Sequence, residues 1–349
     1  MSVVYIISDH GKLNQVNETL EFTAADGTIR KIFPHRMDSL IIGGIVSISG
    51  RAFQLLLKHQ INTFFINSNG KFNGKLIFNE PKNIFLRKKQ YFFSGDEGSK
   101  LSIARTIVMA KVKNELTFVQ RIKRKNDNEH EFTDIIQSFK RIIEQIESVE
   151  NMDKLRGYEG IGAKNYFSIF RHNILPDWAQ FPKRSQNPPL TNVNAVLSFL
   201  YTLLMYRIET AIEISGLDSM AGFLHEHEYG KSSLVFDLTE EFRTPVVDTL
   251  CCALFNLGVL SPDDFHEVIE NEEGNTENSS LRKGEKPILL TKEGLKKVIP
   301  AFQKKMETLV FYPPLETQLS WQMIIIEQVK HFKRVILGEE MLYKGYLYK

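Results

Sequence analysis

The hydrophobic period of this chain changes near Pro81, and that change restricts the folds open to it. Up to about residue 80, short β-rich runs recur at Val3–Ile7, Thr19–Thr23, Leu40–Ile42, Ile45–Ile48, Thr63–Ile66 and Lys75–Phe78. Turn dipeptides separate them, namely Asp26-Gly27, Asn69-Gly70 and Asn73-Gly74. One short helical pattern, Arg51–His59, interrupts the strands. Beyond Pro81, apolar residues return every three or four positions, as in Leu101, Ala104, Val108, Val112, Leu116, Val119 and Ile122. Further helical patterns cover Phe132–Val149, Asn194–Ser215, Val246–Leu257, Thr291–Val310 and Leu315–Ile336. The expected fold class is α+β: a small N-terminal β-sheet domain over 1–84, then a larger, mainly α-helical domain over 85–349. Glu270–Lys286, rich in Asn, Glu, Ser and Gly, is expected to be a mobile loop.

The net charge of +2 conceals segregation. Pro81–Lys125 holds 12 Lys and Arg against 3 Asp and Glu, whereas Asn126–Asp153 holds 2 against 8. Such blocks create a basic surface for polyanions without making the whole chain basic. The cysteines, Cys251 and Cys252, are adjacent in an apolar stretch and read as buried thiols of a reducing compartment. The N-terminus lacks the basic-then-apolar pattern of a secretion signal, and the apolar window Ala195–Tyr206 is too short to span a bilayer. A cytoplasmic protein with no membrane partner is expected.

Four ionisable residues stand out: Glu159 in a glycine-rich segment, and His225, Asp237 and Glu240 between Gly222 and Arg243. On a helix, the spacing of Asp237 and Glu240 places both carboxylates on one face. His225 lies upstream beyond a break at Gly230, and Glu159 must arrive from a separate segment flanked by Gly157, Gly160 and Gly162. Carboxylates with one imidazole and no thiolate suit Mg²⁺ or Mn²⁺ before Zn²⁺. Acids three apart more often line a solvated helix face, so the spacing alone reads equally as polar surface. His225 and His227 also share a face if extended, a lesser zinc reading with no third histidine or cysteine to complete it.

Several separated motifs, in order, resemble the Cas1 family of CRISPR-associated integrases. They are Gly43-Gly44-Ile45-Val46-Ser47-Ile48-Ser49; Arg87-Lys88-Lys89-Gln90; Gly157-Tyr158-Glu159-Gly160 with Ala163 and Tyr166-Phe167; and Arg184 with Pro188-Pro189 and the Asn194–Tyr201 stretch. The last are Gly222-Phe223-Leu224-His225 and Ser233–Pro245. The resemblance implies an N-terminal β domain used in dimerisation and a C-terminal helical catalytic domain. It implies a homodimer that joins a smaller CRISPR-associated subunit in an adaptation complex. The implied chemistry is metal-dependent transfer of a DNA fragment's 3′-hydroxyl onto a phosphodiester at the edge of a CRISPR repeat. Glu159, His225 and Glu240 fall where the family places its metal ligands, with Asp237 as the adjacent acid. Many members have aspartate at the Glu240 position, which leaves open whether Asp237, Glu240 or Glu241 is the direct ligand.

An integrase must hold double-stranded DNA mainly through phosphates. The expected suppliers are Arg87, Lys88, Lys111, Arg121, Lys123, Arg124, Arg184 and Lys231. The tyrosines of the tail, Tyr343, Tyr346 and Tyr348, are candidate anchors for a partner. Two other functions use the same residues: a stand-alone metal-dependent nuclease for branched or single-stranded DNA, and a non-catalytic DNA-binding scaffold.

Overall fold

The computed structural model describes residues 3–66, 72–76, 83–124, 129–186, 188–268 and 286–348. The chain divides into two compact units, Met1–Lys82 and Asn83–Lys349.

The first unit is one six-stranded sheet crossed by a helix. Strand β1 (Val3–Val16) pairs antiparallel with β2 (Thr19–Ala24), which pairs antiparallel with β3 (Ile29–Ile32). Strand β4 (Ser39–Ile48) lies parallel to β1; after helix α1 (Gly50–Lys58), β5 (Asn62–Ile66) lies parallel to β4. Strand β6 (Phe72–Leu76) closes the order β3-β2-β1-β4-β5-β6. The parallel crossover accounts for α1, whose Ala52, Leu55 and Leu56 pack with Leu13, Leu20, Leu40 and Ile42.

The runs at Leu40–Ile42 and Ile45–Ile48 are one strand rather than two, because Gly43-Gly44 does not turn. A Cβ on Gly43 would stand 2.7 Å from Ile7 Cδ1, and Gly44 takes φ +89° where β1 bulges between Ser8 and His10. Asn73-Gly74 likewise lies within β6, with Gly74 paired to Phe65, and makes no turn. Asn69-Gly70 and nearly all of the Glu270–Lys286 loop lie outside the described residues.

The second unit is helical. It comprises α2 (Ile84–Gly95), α3 (Glu97–Lys123), α4 (Glu129–Glu147), α5 (Met152–Phe170) and α6 (Asn192–Ser215). Helix α7 (Ser233–Thr239), a π-helical turn at Arg243–Asp248 and α8 (Thr249–Asn256) follow. The strand pair β7 (Phe265–Glu267) and β8 (Ile288–Leu290) precedes α9 (Lys292–Glu307). A hairpin of β9 (Leu309–Tyr312) and β10 (Thr317–Ser320) leads into α10 (Trp321–Leu337). Helical periodicity expected at Leu315 therefore begins only at Trp321.

Two helices carry the interior. The stripe on α3 is buried as its spacing predicts, with Ala104, Val108, Val112 and Val119 fully enclosed. Helix α6 has 24 residues, long and apolar enough to cross a membrane by length and composition, beyond the Ala195–Tyr206 window. It is nearly all buried within the protein and serves as the unit's central helix. The tail docks inward: Asn114 donates from Nδ2 to the carbonyls of Glu241 and Tyr346 (both 2.9 Å), and its Oδ1 accepts from the Tyr348 amide (2.7 Å). Tyr343 and Tyr346 are buried within this chain, so these two are anchors to its own core.

Asn114→Ala should remove these bonds and strand buried backbone groups, costing about 2–3 kcal/mol in equilibrium urea unfolding.

Candidate functional site

Glu159 reaches the site from α5, a helix that the glycines at 157, 160 and 162 obscure in the sequence. Gly157 and Gly160 have open space where a Cβ would stand, and Gly162 faces Val112 and Glu115 of α3. Of the three, Gly162 is the one at the contact of α5 with α3, and Asn151 caps the start of α5 by accepting from the Lys154 amide (2.8 Å).

The His225 segment is held from three sides. Arg87 pairs with Asp218 (2.8 Å), and Gln90 Nε2 donates to the carbonyls of Asp218 and Ala221 (2.8 and 3.0 Å). Arg156, one turn before Glu159, donates to the Leu224 carbonyl from Nη2 (3.0 Å) and pairs with Glu226 (2.6 Å). Arg156 thus ties the glutamate helix to the histidine segment. From the third side, the fully buried Asp237 accepts the backbone amides of Phe223, Leu224 and His225, and its Oδ1 lies 2.7 Å from His225 Nδ1. With its carboxylate committed to those groups, Asp237 orients the ring and leaves Nε2 for another partner.

Glu240 follows α7, with Arg243 Nη1 2.9 Å from its Oε1. Its Oε2 is buried and stands 2.7 Å from Lys111 Nζ in an ion pair. Lys111 Nζ also pairs with Glu159 Oε1. Two carboxylates from separate helices therefore converge on one cationic position, filled by an ammonium. Burial opposes the Glu240 charge, but Arg243 and Lys111 outweigh it and hold the carboxyl at about 2. Burial also disfavours the Lys111 ammonium, and Glu240 and Glu159 more than restore it. Glu115, buried on α3, is pushed up to about 8, chiefly by burial and against the pull of Lys111. Glu241 points elsewhere: it accepts from the Tyr343 hydroxyl (2.5 Å) and the Tyr346 amide (2.8 Å), and burial pushes it up to about 7.

The basic side of the site is stacked. Arg243 lies over the Tyr201 ring (4.4 Å to its centre) and Arg184 over the same ring (5.4 Å). Arg184 donates to Asn194 Oδ1 (2.9 Å) and Ser198 Oγ (3.1 Å), and Tyr201 donates to the buried Asp248. Burial lowers the Arg184 pKa.

Among the described residues no cluster of three or more His, Cys, Asp or Glu has formed around one point. The donor set still fits a hard or borderline divalent ion. Glu159 and Glu240 already share a cation, the Glu240 oxygen that faces it is buried, and His225 is oriented by its other nitrogen. Glu159 and Glu240 are brought together, whereas the His225 ring makes its contact with Asp237. His227 instead bonds the Gly222 carbonyl (3.0 Å), and 225–228 is not a strand, so the two-histidine zinc arrangement does not form.

The expected phosphate-binding residues separate. Lys88 and Arg124 are exposed. Arg87 and Lys231 are half-buried in ion pairs with Asp218 and Glu228 (2.8 and 2.6 Å). Arg121 lies over the Tyr348 ring (4.0 Å), and Lys123 bonds Thr133 (3.1 Å). Lys111 requires correction: it is 5% exposed and turned inward to Glu159 and Glu240, so its ammonium is not offered to a surface phosphate. Sequence reading also missed Arg156 and Arg243. Lys111 had a signal, since it stands three residues after Val108 and seven after Ala104, on the buried stripe.

Gly222→Ala should disrupt the histidine segment, because a Cβ there would meet Ser233 Cβ at 2.6 Å and Asp237 Oδ2 at 2.9 Å. A loss of about 1–3 kcal/mol is expected in denaturant unfolding.

Residues 4–304 match the model of a family described as CRISPR associated protein Cas1. A relative named CRISPR-associated endonuclease Cas1, from Leptospira interrogans, is 33% identical over 269 residues, 76% of this chain and 100% of its own. A CAS1 protein from Thermotoga maritima has a similar fold, with TM-score 0.82, 23% identity and coverage of 99% and 100% of the two chains. A casposase bound to an integration product aligns with TM-score 0.81 and 22% identity, over 100% of this chain and 95% of its own. A chain of a Cas6-RT-Cas1–Cas2 complex aligns with TM-score 0.84 and 18% identity, over 100% of this chain and 36% of that longer one. With most of its length inside the family model, this chain belongs to the Cas1 family.

Proposed function

We propose that the protein is a metal-dependent DNA integrase and endonuclease of CRISPR adaptation, joining 3′-hydroxyl ends of short DNA fragments to phosphodiesters at the CRISPR repeat. The observation that carries this reading is the convergence of Glu159 and Glu240 on a single buried cation, with Asp237 orienting His225 in the segment that Arg156 ties to the Glu159 helix. Glu159, His225 and Glu240 would hold Mg²⁺ or Mn²⁺. When bound, such an ion polarises the target phosphate and stabilises charge on the attacking and leaving oxygens. Asp237 keeps the ring of His225 fixed through Nδ1, and Arg243 keeps Glu240 ionised and aligned. Exposed Lys88 and Arg124 would meet DNA phosphates, while Arg184 sits half-buried beside the site. Double-stranded DNA, a second copy of the chain and a smaller Cas2-type subunit are the proposed partners. Support comes from family membership and from fold relatives, one bound to an integration product and one in a complex with Cas2.

The test is strand transfer of a short duplex into a repeat-bearing plasmid, with Mn²⁺ or Mg²⁺ and the Cas2-type subunit. Glu159→Ala and His225→Ala should each abolish joined product, as should a chelator, with circular dichroism unchanged. Normal joining by either variant rejects the site, and fragments without joined strands would indicate a nuclease instead.

Asp237→Asn should leave the ligands in place but release the ring, reducing joining by about 10–100-fold. Titrating Mn²⁺ in the joining assay should show a raised metal requirement.

A further inference from the structure

Lys111 has no part in the metal reading, yet it fills the position that reading assigns to an ion. Its ammonium contacts both Glu159 and Glu240, and its side chain is 6% exposed. Glu115 stands one helical turn further along α3, also buried, with an Oε2 that has no hydrogen-bond partner. Lys111, Glu115, Glu159 and Arg243 line one cavity of about 120 Å³, room for several waters.

These features bear on one another. A buried carboxylate and a second, partly buried one cannot be held together uncompensated, so a cation must lie between them before any metal arrives. A divalent ion and an ammonium repel each other and cannot share that place. Lysine is suited to leaving it, as a compact charge on a flexible four-carbon stem. A residue four positions away on the same helix is within reach of its head group.

We propose that Lys111 is an internal competitor of the divalent ion: its ammonium holds Glu159 and Glu240 together in the metal-free protein and transfers to Glu115 when the ion binds. Lys111 is thus a positioning residue that preassembles the carboxylates and sets a threshold for metal uptake. Glu115 stabilises the loaded state without touching the ion. The inference rests on the assignment of Glu159 and Glu240 as ligands.

The test is Mn²⁺ binding to the full chain without DNA, by titration calorimetry, in the wild type, Lys111→Gln, Glu115→Gln and the double variant. Lys111→Gln should bind Mn²⁺ at least about tenfold more tightly. Glu115→Gln should bind about threefold or more weakly, and this effect should vanish in the Lys111→Gln background, since no ammonium then needs a new acceptor. Melting should also show a lower metal-free Tm for Lys111→Gln and a larger rise on adding Mn²⁺ than in the wild type. Equal or weaker binding by Lys111→Gln overturns the competition, and so does unchanged binding by Glu115→Gln, a variant that keeps the Lys111 ion pairs should Lys111→Gln fail to fold. Failure of both the wild type and Lys111→Gln to take up Mn²⁺ would instead remove the ligand assignment, and this inference with it.

Discussion

A single buried ammonium between two carboxylates is the constraint around which the helical unit is built. Glu159 and Glu240 come from separate elements, and Lys111 comes from a third. Bringing two acids out of water is unfavourable unless opposite charge comes with them. The protein supplies Lys111 on one side of Glu240 and Arg243 on the other, and Tyr201 spaces Arg243 from Arg184. The centre is therefore an alternating array of charge whose net value is small, although its members are individually costly to bury. That balance allows α3, α5 and the segment after α7 to meet at a polar point inside an otherwise apolar interior.

The same economy governs the loop that carries His225. Its backbone amides converge on one carboxylate, Asp237, in the manner of an anion held by peptide groups. Arg156, Arg87 and Gln90 tether its other parts. A loop with so many internal ties presents its imidazole at little further entropic cost, which suits a group that must be in place before a ligand arrives.

The sequence revealed the acids better than their supports. Glu159, His225, Asp237 and Glu240 were legible because each lies in a motif of fixed order, and the period change near Pro81 separated strands from helices. Helix α5 was hidden because Gly157, Gly160 and Gly162 lower helix propensity, whereas packing on α3 outweighs that penalty. Gly43-Gly44 divided one strand into two runs in the sequence because glycine interrupts a β pattern, but here close approach to Ile7 and a bulge place the pair inside β4. The basic residues were the least legible. Arg87 resembles a solvated helix arginine in one dimension; Lys111 falls on the buried stripe, but only the fold shows which acid each one faces. The tail tyrosines gave no sequence cue that their partners are Asn114 and Glu241.

The contact between Glu241 and Tyr343 joins residues 102 positions apart. During synthesis, the segment that carries Glu240 emerges from the ribosome long before Tyr343, Tyr346 and Tyr348 exist to pack beneath it. Closure of the core around Glu241 and Asn114 is therefore a late, non-local event in folding. A nascent chain that has already made its sheet and its first long helices still lacks the tail on which Asn114 and Glu241 close, so the order of translation itself leaves this part of the core to be completed last.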